Sequence, residues 1–427
     1  MAAGLGGTGL LMLPAARSGP GSADFMDALF TAFSALCVTG LASVDTPVHW
    51  SLFGHAVILV LIQLGGLGVM TFASILALAV LHRLSLRSRL TTQAEGRSPQ
   101  LAHVPSLILG VVRISLTVEA VVAAILTLRF ALAYHYPWGH SLWLGVFHAV
   151  SAFNNAGFSL FSDSLRGYVG DPLICLPICG AVILGGLGFP VLMQLRQPLR
   201  GRLAWTLTTR LVLWGTAVLL VAGTVFITVL EWENPRTLGG LGWPQKILAG
   251  FFQSVQTRTA GFYSVDIGGM YPSTWLGMDA LMFIGSGPAG TGGGVKITTM
   301  AVVLLLVAAE IRGAPAVTVF GKTLANPVNR QAVAVVVLAA AAVFTGTWLL
   351  MLLTEFSLDS VLFGTISAFG TVGVSTGITA GLPPAGQLVL IVLMFIGRLG
   401  PILFASALAL NDRRLLYQPP EERPIIG

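Results

Sequence analysis

Four short segments of the chain share a central glycine and could together coordinate a cation. They span residues 34–41, 151–158, 254–262 and 367–374, and each lies between two apolar stretches. Their glycines are Gly40, Gly157, Gly261 and Gly373. Glycine adopts backbone torsions that other residues avoid, so successive carbonyl groups can face one axis and replace the hydration shell of an ion. The repetition of the motif therefore predicts a filter built from four loops.

The residues expected to line this filter are small or uncharged. Three come from each segment: Val38, Thr39, Gly40, Asn155, Ala156, Gly157, Thr259, Ala260, Gly261, Thr371, Val372 and Gly373. A ring of carbonyl groups without carboxylates suits a weakly hydrated monovalent cation, whereas protein sites for divalent cations usually contain Asp or Glu. The segments therefore favour a monovalent cation as the ligand.

The composition is that of a protein embedded in a lipid bilayer. Of the 427 residues, 55% are hydrophobic and 9% are charged, against roughly 25% charged residues in an average soluble domain. The net charge of +6 comes from basic residues in short clusters between apolar stretches, which is typical of membrane-protein loops and does not favour a nucleic-acid partner. The three cysteines form no even framework, so no disulfide or metal centre is expected.

The apolar stretches repeat in one order: a span, a short helix, the glycine segment and a second span. The short helices are expected at about 24–37, 141–153, 243–255 and 358–369, shorter than the ~20 residues that cross a hydrocarbon core. Irregular backbone is tolerated at membrane depth only where protein or a water-filled path surrounds it. We therefore predict an all-α polytopic membrane protein. Four membrane-pore-membrane repeats would contribute eight spans and four re-entrant pore helices around one pseudo-fourfold ion pore.

The repeats are assigned to residues 1–82, 83–200, 201–312 and 313–412, followed by a cytoplasmic C-terminal tail at 413–427. The first apolar stretch, residues 1–14, is shorter than a span, so it is either truncated or an unusually short helix. Most Lys and Arg residues lie between the repeats and in the tail, so the positive-inside rule puts these junctions and the C-terminus in the cytoplasm. The pore helices then enter from outside and point their partially negative C-terminal ends at the axis, which favours a cation there.

A basic cluster at the junction of the second and third repeats is expected to dock an acidic or nucleotide-bound soluble partner. Contact with the membrane surface is the alternative. The cluster consists of Arg196, Arg200, Arg202 and Arg210.

The third repeat departs from the others at residues 285–296, where a single glycine becomes a glycine-rich tract containing Pro288. Such a tract cannot continue an α-helix, so a flexible loop is expected below the filter. Arg398 lies at the matching depth of the fourth repeat, where its guanidinium could hold loop carbonyls and its charge would oppose a cation. A structural, snorkelling Lys296 is preferred over a direct gating role. The predicted gate comprises Gly287, Gly290, Gly292, Gly293, Gly294, Lys296 and Arg398.

Other residues inside the predicted spans and pore helices are given structural roles. Glu119 is expected to pair with an arginine such as Arg113, although a carboxylate at membrane depth is a functional candidate by default. Arg258 is expected to brace the third loop by donating to its carbonyl groups. The remaining assignments are structural hydrogen bonding for His148, Asn154 and Asn155, and close helix packing for Gly65, Gly68, Gly185 and Gly188.

The motifs resemble the four pore loops of the Trk/Ktr/HKT potassium transporter superfamily. The residues that carry the resemblance are 39–41 (TGL), 151–158 (SAFNNAGF), 257–262 (TRTAGF) and 370–377 (GTVGVSTG). The resemblance covers essentially the whole chain. Within the superfamily it is greatest to the KtrB group, the membrane subunits of bacterial Ktr potassium uptake systems, and the tail at 417–423 is also similar to that group.

The resemblance implies potassium uptake, often promoted by sodium, across the bacterial cytoplasmic membrane. The implied assembly is a homodimer in the lipid bilayer, in which each protomer has its own pore, docked on a cytoplasmic KtrA-type nucleotide-binding RCK ring. The ion implied is potassium, with sodium as a further candidate. Glycine at all four filter positions favours potassium, since plant members of the superfamily with serine at the first position prefer sodium.

Two other classes of function compete with this interpretation. An intramembrane enzyme would need a nucleophile with a base, or a metal cluster, at membrane depth; the HExxH motif is absent, and residues 290–296 lack the GK[ST] ending of a phosphate loop. An enzyme is therefore not expected. An alternating-access cation symporter remains the alternative, because broken helices near the membrane midplane are typical of that class as well.

Overall fold

The computed structural model of the chain describes residues 2–89, 104–196 and 205–410. In the first repeat the helices are α1 (Ala2–Leu11), α2 (Phe25–Leu36), α3 (Thr46–His49) and α4 (Leu52–Arg89). The second repeat contains α5 (Val104–Ala133), α6 (Trp138–Phe153), α7 (Pro172–Leu187) and α8 (Phe189–Leu195). The third contains α9 (Leu207–Glu231), α10 (Trp243–Gln256), α11 (Pro272–Phe283) and α12 (Ile297–Ile311). The fourth contains α13 (Asn326–Leu353), α14 (Leu358–Gly370) and α15 (Pro384–Leu410).

The four short helices predicted before the glycine segments are α2, α6, α10 and α14. Each starts within a few residues of its predicted position and ends just before its glycine. Helix α2 begins at a capped N-terminus, where the Asp24 carboxylate accepts from the backbone N–H of Met26 at 2.9 Å, satisfying a donor that the first turn leaves free. All four predicted short helices are therefore present in the structure, and their C-terminal ends lie at the glycine segments.

Within the described ranges, four segments are long and apolar enough to cross a membrane. They are Leu52–Phe72, Ile108–Ala133, Leu207–Glu231 and Val328–Leu353. A fifth is reached if α7 and α8, which meet at a 105° bend, are counted as one crossing. The chain is thus a multi-pass membrane protein in its helix composition. The eight-span arrangement and the cytoplasmic C-terminus stay predictions, and the tail at 413–427 lies outside the described residues.

The second span of repeat two is broken between α7 and α8. Gly188 has a φ of +89° at the break, a value that glycine tolerates better than other residues. The N–H of Phe189 donates to the carbonyl oxygen of Ala289 at 3.2 Å. The bend therefore occurs where this span meets the glycine-rich tract of repeat three.

The all-α prediction needs one correction, because a small hairpin joins α12 to α13. Strand β1 (Thr318–Val319) pairs antiparallel with β2 (Lys322–Thr323). Phe320 and Gly321, between the strands, have φ values of 48° and 73°, which is the backbone of a tight two-residue turn. The hairpin was not predicted, because Phe-Gly lacks the Asn or Asp that usually marks such turns.

Glycines in the second spans accept the ends of the pore helices. A Cβ atom on any of three of these glycines would collide with a backbone carbonyl oxygen in the last two residues of a pore helix. The pairs are Gly65 with Leu36, Gly185 with Phe153 and Gly397 with Phe369. The packing role predicted for Gly65 and Gly185 fits these contacts. A Cβ atom on Gly68 would meet no other atom within 4 Å, so Gly68 lacks the packing role expected for it, whereas a Cβ atom on Gly188 would collide with the carbonyl oxygen of Pro288, a close contact that fits the predicted packing role.

Candidate ion pathway

The four glycine segments adopt the same unusual backbone. In each, the filter glycine and the residue two positions before it have positive φ. The values are 56° and 88° for Val38 and Gly40, 60° and 70° for Asn155 and Gly157, 72° and 80° for Thr259 and Gly261, and 49° and 93° for Thr371 and Gly373. Successive carbonyls of an extended strand point to opposite sides, and left-handed residues at alternate positions turn them toward a common side. This is the backbone that a carbonyl-lined ion site requires.

The first left-handed residue of each pair is not glycine, so these positions carry backbone strain. Val38, Thr259 and Thr371 are β-branched, and positive φ in such residues is a genuine outlier. Each costs on the order of 1–3 kcal/mol unless the surroundings impose it. This strain in three of the four loops indicates that the fold stabilises the left-handed conformation for a function.

The four loops form a closed ring. Each filter glycine packs so tightly against the carbonyl oxygen that precedes the glycine of the next loop that a Cβ atom there would collide with it. The contacts join Gly40 to Ala156, Gly157 to Ala260, Gly261 to Val372 and Gly373 to Thr39. The ring therefore runs from the first loop through the second, third and fourth and back to the first, with carbonyl oxygens contributed by every repeat.

Backbone hydrogen bonds attach each loop to its own pore helix. The residue before the filter glycine donates its N–H to a carbonyl near the helix end: Thr39 to Ser34 at 2.8 Å, Ala156 to Ser151 at 2.7 Å and Val372 to Ser367 at 2.8 Å. The third loop differs, since Ala260 donates to Gln256 at 3.0 Å. These bonds turn the chain sharply at the helix C-terminus and leave the loop carbonyls unused by the helix.

The glycine-rich tract lies beneath the ring as a loop between α11 and α12. Residues 285–297 are buried almost throughout. Backbone N–H groups of Gly287 and Thr291 donate to the carbonyls of Gly186 and Gly185 in repeat two, at 2.8 and 3.1 Å. Gly293 donates to the Thr371 hydroxyl at 3.0 Å. The helix break was predicted, and the backbone of the loop pairs with protein groups of two other repeats.

Arg398 and Lys296 hold this loop from two directions. The Arg398 guanidinium, 3% exposed, donates to the carbonyl oxygen of Thr291 and, at 3.1 Å, to that of Gly65 in repeat one. The Lys296 ammonium donates to the carbonyl oxygen of Gly292 at 2.6 Å. Lys296 therefore does not snorkel as expected; its charge points into the loop. A buried cation is tolerated where oxygen acceptors surround it, and here the acceptors are the loop carbonyls themselves.

Thr291 is a loop residue that was not among the predicted gate residues. Its hydroxyl lies 3.2 Å from the carbonyl oxygen of Phe153 and 3.0 Å from the side-chain amide of Asn155, and its own carbonyl accepts from Arg398. The Asn155 amide is best satisfied with its nitrogen toward Thr291 and its oxygen accepting from the Thr259 hydroxyl at 3.2 Å. The only signal for Thr291 in the sequence is a hydroxyl residue inside a tract of glycines.

Two structural assignments of buried charges were wrong. Glu119 does not pair with Arg113, whose side chain is exposed; its carboxylate accepts from Ser115 at 2.7 Å and from the amide of Gln63 at 3.2 Å. Arg258 is 8% exposed and donates to the Thr216 hydroxyl on α9 at 3.4 Å, not to carbonyls of the third loop. Both errors have one cause: the partners are on helices whose packing the sequence does not give.

The other polar predictions beneath the second loop agree with the geometry. His148 is fully buried, and its ring nitrogens lie 2.8 Å from the carbonyl oxygen of Leu144 and 3.1 Å from the Ser159 hydroxyl. Asn154 donates to Gln63 at 2.8 Å. The side chains of Asn154 and Asn155 bond to protein groups, so they contribute to the site through the position of the loop.

Comparison with known proteins identifies the family. The sequence profile of the TrkH family, described as a cation transport protein, matches residues 5–411. The Ktr system potassium uptake protein B of Bacillus subtilis (strain 168) is 41% identical over 416 residues, covering 97% of this chain and 92% of that protein. The protein of the same description from Vibrio alginolyticus is 40% identical over 395 residues, covering 92% and 86%.

A solved structure has the same fold. The crystal structure of the potassium transporter TrkH from Vibrio parahaemolyticus superimposes with a TM-score of 0.69 at 18% identity, covering 91% of this chain and 78% of that one. The sequence profile and the two potassium uptake proteins confirm the predicted membership of the Trk/Ktr/HKT superfamily. Since the profile matches nearly the whole chain and relatives above 30% identity extend along the same range, this chain belongs to the TrkH family of cation transport proteins.

Proposed function

We propose that the chain conducts potassium ions into the bacterial cytoplasm through the ring of four glycine loops. The observation that carries the proposal is the closed contact of Gly40, Gly157, Gly261 and Gly373 with carbonyl oxygens of neighbouring loops. The printed description of two relatives, potassium uptake protein B of a Ktr system, supports potassium as the ion. In this proposal, the residues that contact the potassium ion are the twelve filter residues predicted from the sequence.

The chain's own groups would do three things to the ion. The carbonyl oxygens of Thr39, Ala156, Ala260 and Val372 would replace its hydration shell. The C-terminal ends of the four pore helices would contribute partial negative charge at the ring. The loop at 285–296, with Lys296 and Arg398 bonded to it, would close the path below the ring and add an electrostatic barrier to a cation. Opening would require those bonds to the loop carbonyls to break.

Regulation and assembly are proposed from the resemblance to the KtrB group. The protein would work as a homodimer in the bacterial cytoplasmic membrane, with its C-terminus in the cytoplasm, and uptake would be promoted by sodium. A KtrA-type nucleotide-binding RCK ring would dock on the cytoplasmic side and release the gate. The basic cluster of Arg196, Arg200, Arg202 and Arg210 is the proposed docking surface; Arg200 and Arg202 lie outside the described residues.

Reversal of charge in this cluster should weaken docking of the ring. In an Arg196→Glu/Arg210→Glu variant, pull-down of the RCK ring at physiological salt should fall by about tenfold, as expected when complementary charges become like charges. Arg166→Glu, on the predicted outer side, is the control and should leave pull-down unchanged. Retention of full binding by the double variant would reject this surface as the contact.

A coupled symporter is the second candidate, favoured by the 105° bend between α7 and α8 and by the break between α11 and α12. Potassium and rubidium fluxes into liposomes containing the purified chain, with and without sodium, test the proposed function. We expect saturable potassium and rubidium flux that far exceeds sodium flux, together with unitary currents in bilayers. Flux with a fixed ion stoichiometry and no unitary currents would favour the symporter, and absence of potassium flux would reject both.

A further inference from the structure

Glu119 in α5 is a buried carboxylate that the ion pathway described above does not use. It is 5% exposed, and its oxygens accept hydrogen bonds from the Ser115 hydroxyl at 2.7 Å, the Gln63 amide at 3.2 Å and the Asn154 amide at 3.2 Å. No Lys, Arg or His side chain within residues 2–89, 104–196 and 205–410 forms an ion pair with it. The carboxylate is therefore held by neutral donors from two spans and one pore loop.

This arrangement fits the ionised form of the carboxylate. Ionised Glu is an acceptor only, and both amide partners present N–H groups to it. Hydrogen bonds to an ionised group are shorter and stronger than those between neutral groups. A buried charge without such bonds would be strongly disfavoured. The Glu119 carboxylate and its three donors, on Ser115, Gln63 and Asn154, thus form one hydrogen-bonded cluster. The carboxylate holds each donor side chain in place.

Asn154 connects this unit to the filter. It caps the C-terminus of α6, and the two N–H groups of its side-chain amide are shared among three acceptors: the Glu119 carboxylate, the carbonyl oxygen of Val150 at 2.9 Å and that of the Gln63 side chain at 2.8 Å. The next residue, Asn155, is the first left-handed residue of the second loop and contacts the gate-loop residue Thr291. The carboxylate of Glu119 is therefore one hydrogen bond and one peptide unit from the filter turn.

The second loop is distinct in this respect. The residue three positions before the filter glycine is Cys37, Asn154, Arg258 or Gly370 in the four repeats. Arg258 contacts a neutral hydroxyl at 3.4 Å, and Gly370 has no side chain to anchor. Among the described loops, a carboxylate anchors only the second through this position.

We propose that Glu119 is a positioning residue for ion selectivity, whose carboxylate fixes the second pore loop through Asn154. The inference rests on the proposed function, because it takes the Gly157 loop to be part of a potassium-selective filter. Without the carboxylate, the second loop would be held less firmly, and its carbonyl oxygens would be less well fixed in the ring. The ring would then discriminate less well between ions of different size, while the fold of the spans would be retained.

The test is the ratio of potassium to sodium flux in liposomes for the full-length chain and its variants. Glu119→Gln keeps the shape but turns an N–H group toward the donors, so the ratio should fall about fivefold to tenfold, the effect of one lost hydrogen bond of average strength. Asn154→Ala should give a similar fall, and the double variant should fall no further, because residues of one network are not additive. Glu119→Asp should recover part of the ratio.

Glu231→Gln is the matched control. Glu231 in α9 is also fully buried and also bonded by neutral groups, including Asn234 and Thr237 at 2.6 Å each, but these groups belong to no filter loop. Its substitution should lower thermal stability and leave the flux ratio unchanged. An equal fall in both glutamine variants would mean a general loss of packing and would overturn the proposal.

The outcomes separate this inference from the proposed function. If the parent chain prefers potassium and Gly40→Ser removes the preference, but Glu119→Gln and Asn154→Ala insert normally and keep the parent ratio, the positioning role is wrong and the filter stands. If Glu119→Gln does not insert into the membrane, the flux ratio of Asn154→Ala tests the positioning role, and an unchanged ratio in that variant rejects it. If the parent shows no preference for potassium, the proposed filter fails and the role of Glu119 fails with it.

Discussion

Substitution of Ser for Gly40 should lower the preference for potassium over sodium by about tenfold or more, equal to roughly 1.4 kcal/mol of discrimination. Gly40 has a φ of +88°, and a Cβ atom there would collide with the carbonyl oxygen of Ala156. Neither the backbone conformation nor the ring contact can be kept, so the carbonyl oxygens must move. The ratio of potassium to sodium flux in liposomes measures the effect.

Gly68→Ser is the matched control for Gly40→Ser. Gly68 lies in α4 of the same repeat, and a Cβ atom there would have no neighbour within 4 Å. The control should insert, dimerise and keep the parent flux ratio. If Gly40→Ser also keeps that ratio in a correctly inserted protein, the carbonyl at this position does not contribute to selection.

Replacement of Arg398 by Ala should raise potassium flux about tenfold in the absence of any cytoplasmic partner, which corresponds to a barrier lower by ~1.4 kcal/mol. A unit charge 4 Å from a cation contributes about 4 kcal/mol of repulsion at an effective dielectric constant of 20, so a fall of this size is reasonable after the remaining groups relax. The change also removes the bonds to Thr291 and Gly65 that hold the loop. Stopped-flow flux into liposomes measures the rate.

Deletion of residues 290–293 should act in the same direction, because it removes the carbonyl oxygen of Thr291, which Arg398 holds, and that of Gly292, which Lys296 holds. Arg312→Ala, which removes an exposed arginine after α12, is the control and should conduct at the parent rate. If both loop variants insert and dimerise normally yet conduct no faster than the parent, the loop is not a barrier and the gate lies elsewhere.

The sequence predicted those parts of the molecule that local pattern determines. Pore-helix positions follow from apolar stretches too short to span, and the filter glycines follow from their recurrence between such stretches. The break before Ile297 follows from Pro288 and its neighbouring glycines, which cannot continue a helix. These features depend on residues close together in the chain, so one sequence is sufficient to find them.

The features that depend on tertiary packing could not be predicted from the sequence. The left-handed backbone at Val38, Thr259 and Thr371 contradicts the preference of β-branched residues, and only the neighbouring loops impose it. The partners of Glu119 and Arg258 lie on other helices, and charge alone suggested Arg113 and loop carbonyls instead. The contacts of the loop at 285–296 with Gly185 and Gly186 lie beside the bend at Gly188, which the pattern of apolar residues does not indicate.

Anomalous X-ray scattering from crystals of the full-length chain grown with rubidium in place of potassium tests the central claim most directly. A rubidium peak should lie inside the ring, with the carbonyl oxygens of Thr39, Ala156, Ala260 and Val372 as its nearest neighbours. It should be absent from crystals of the Gly40→Ser variant grown under the same conditions. Ordered rubidium elsewhere in the parent chain, with none between the four glycines, would contradict the assignment of these loops as the ion pathway.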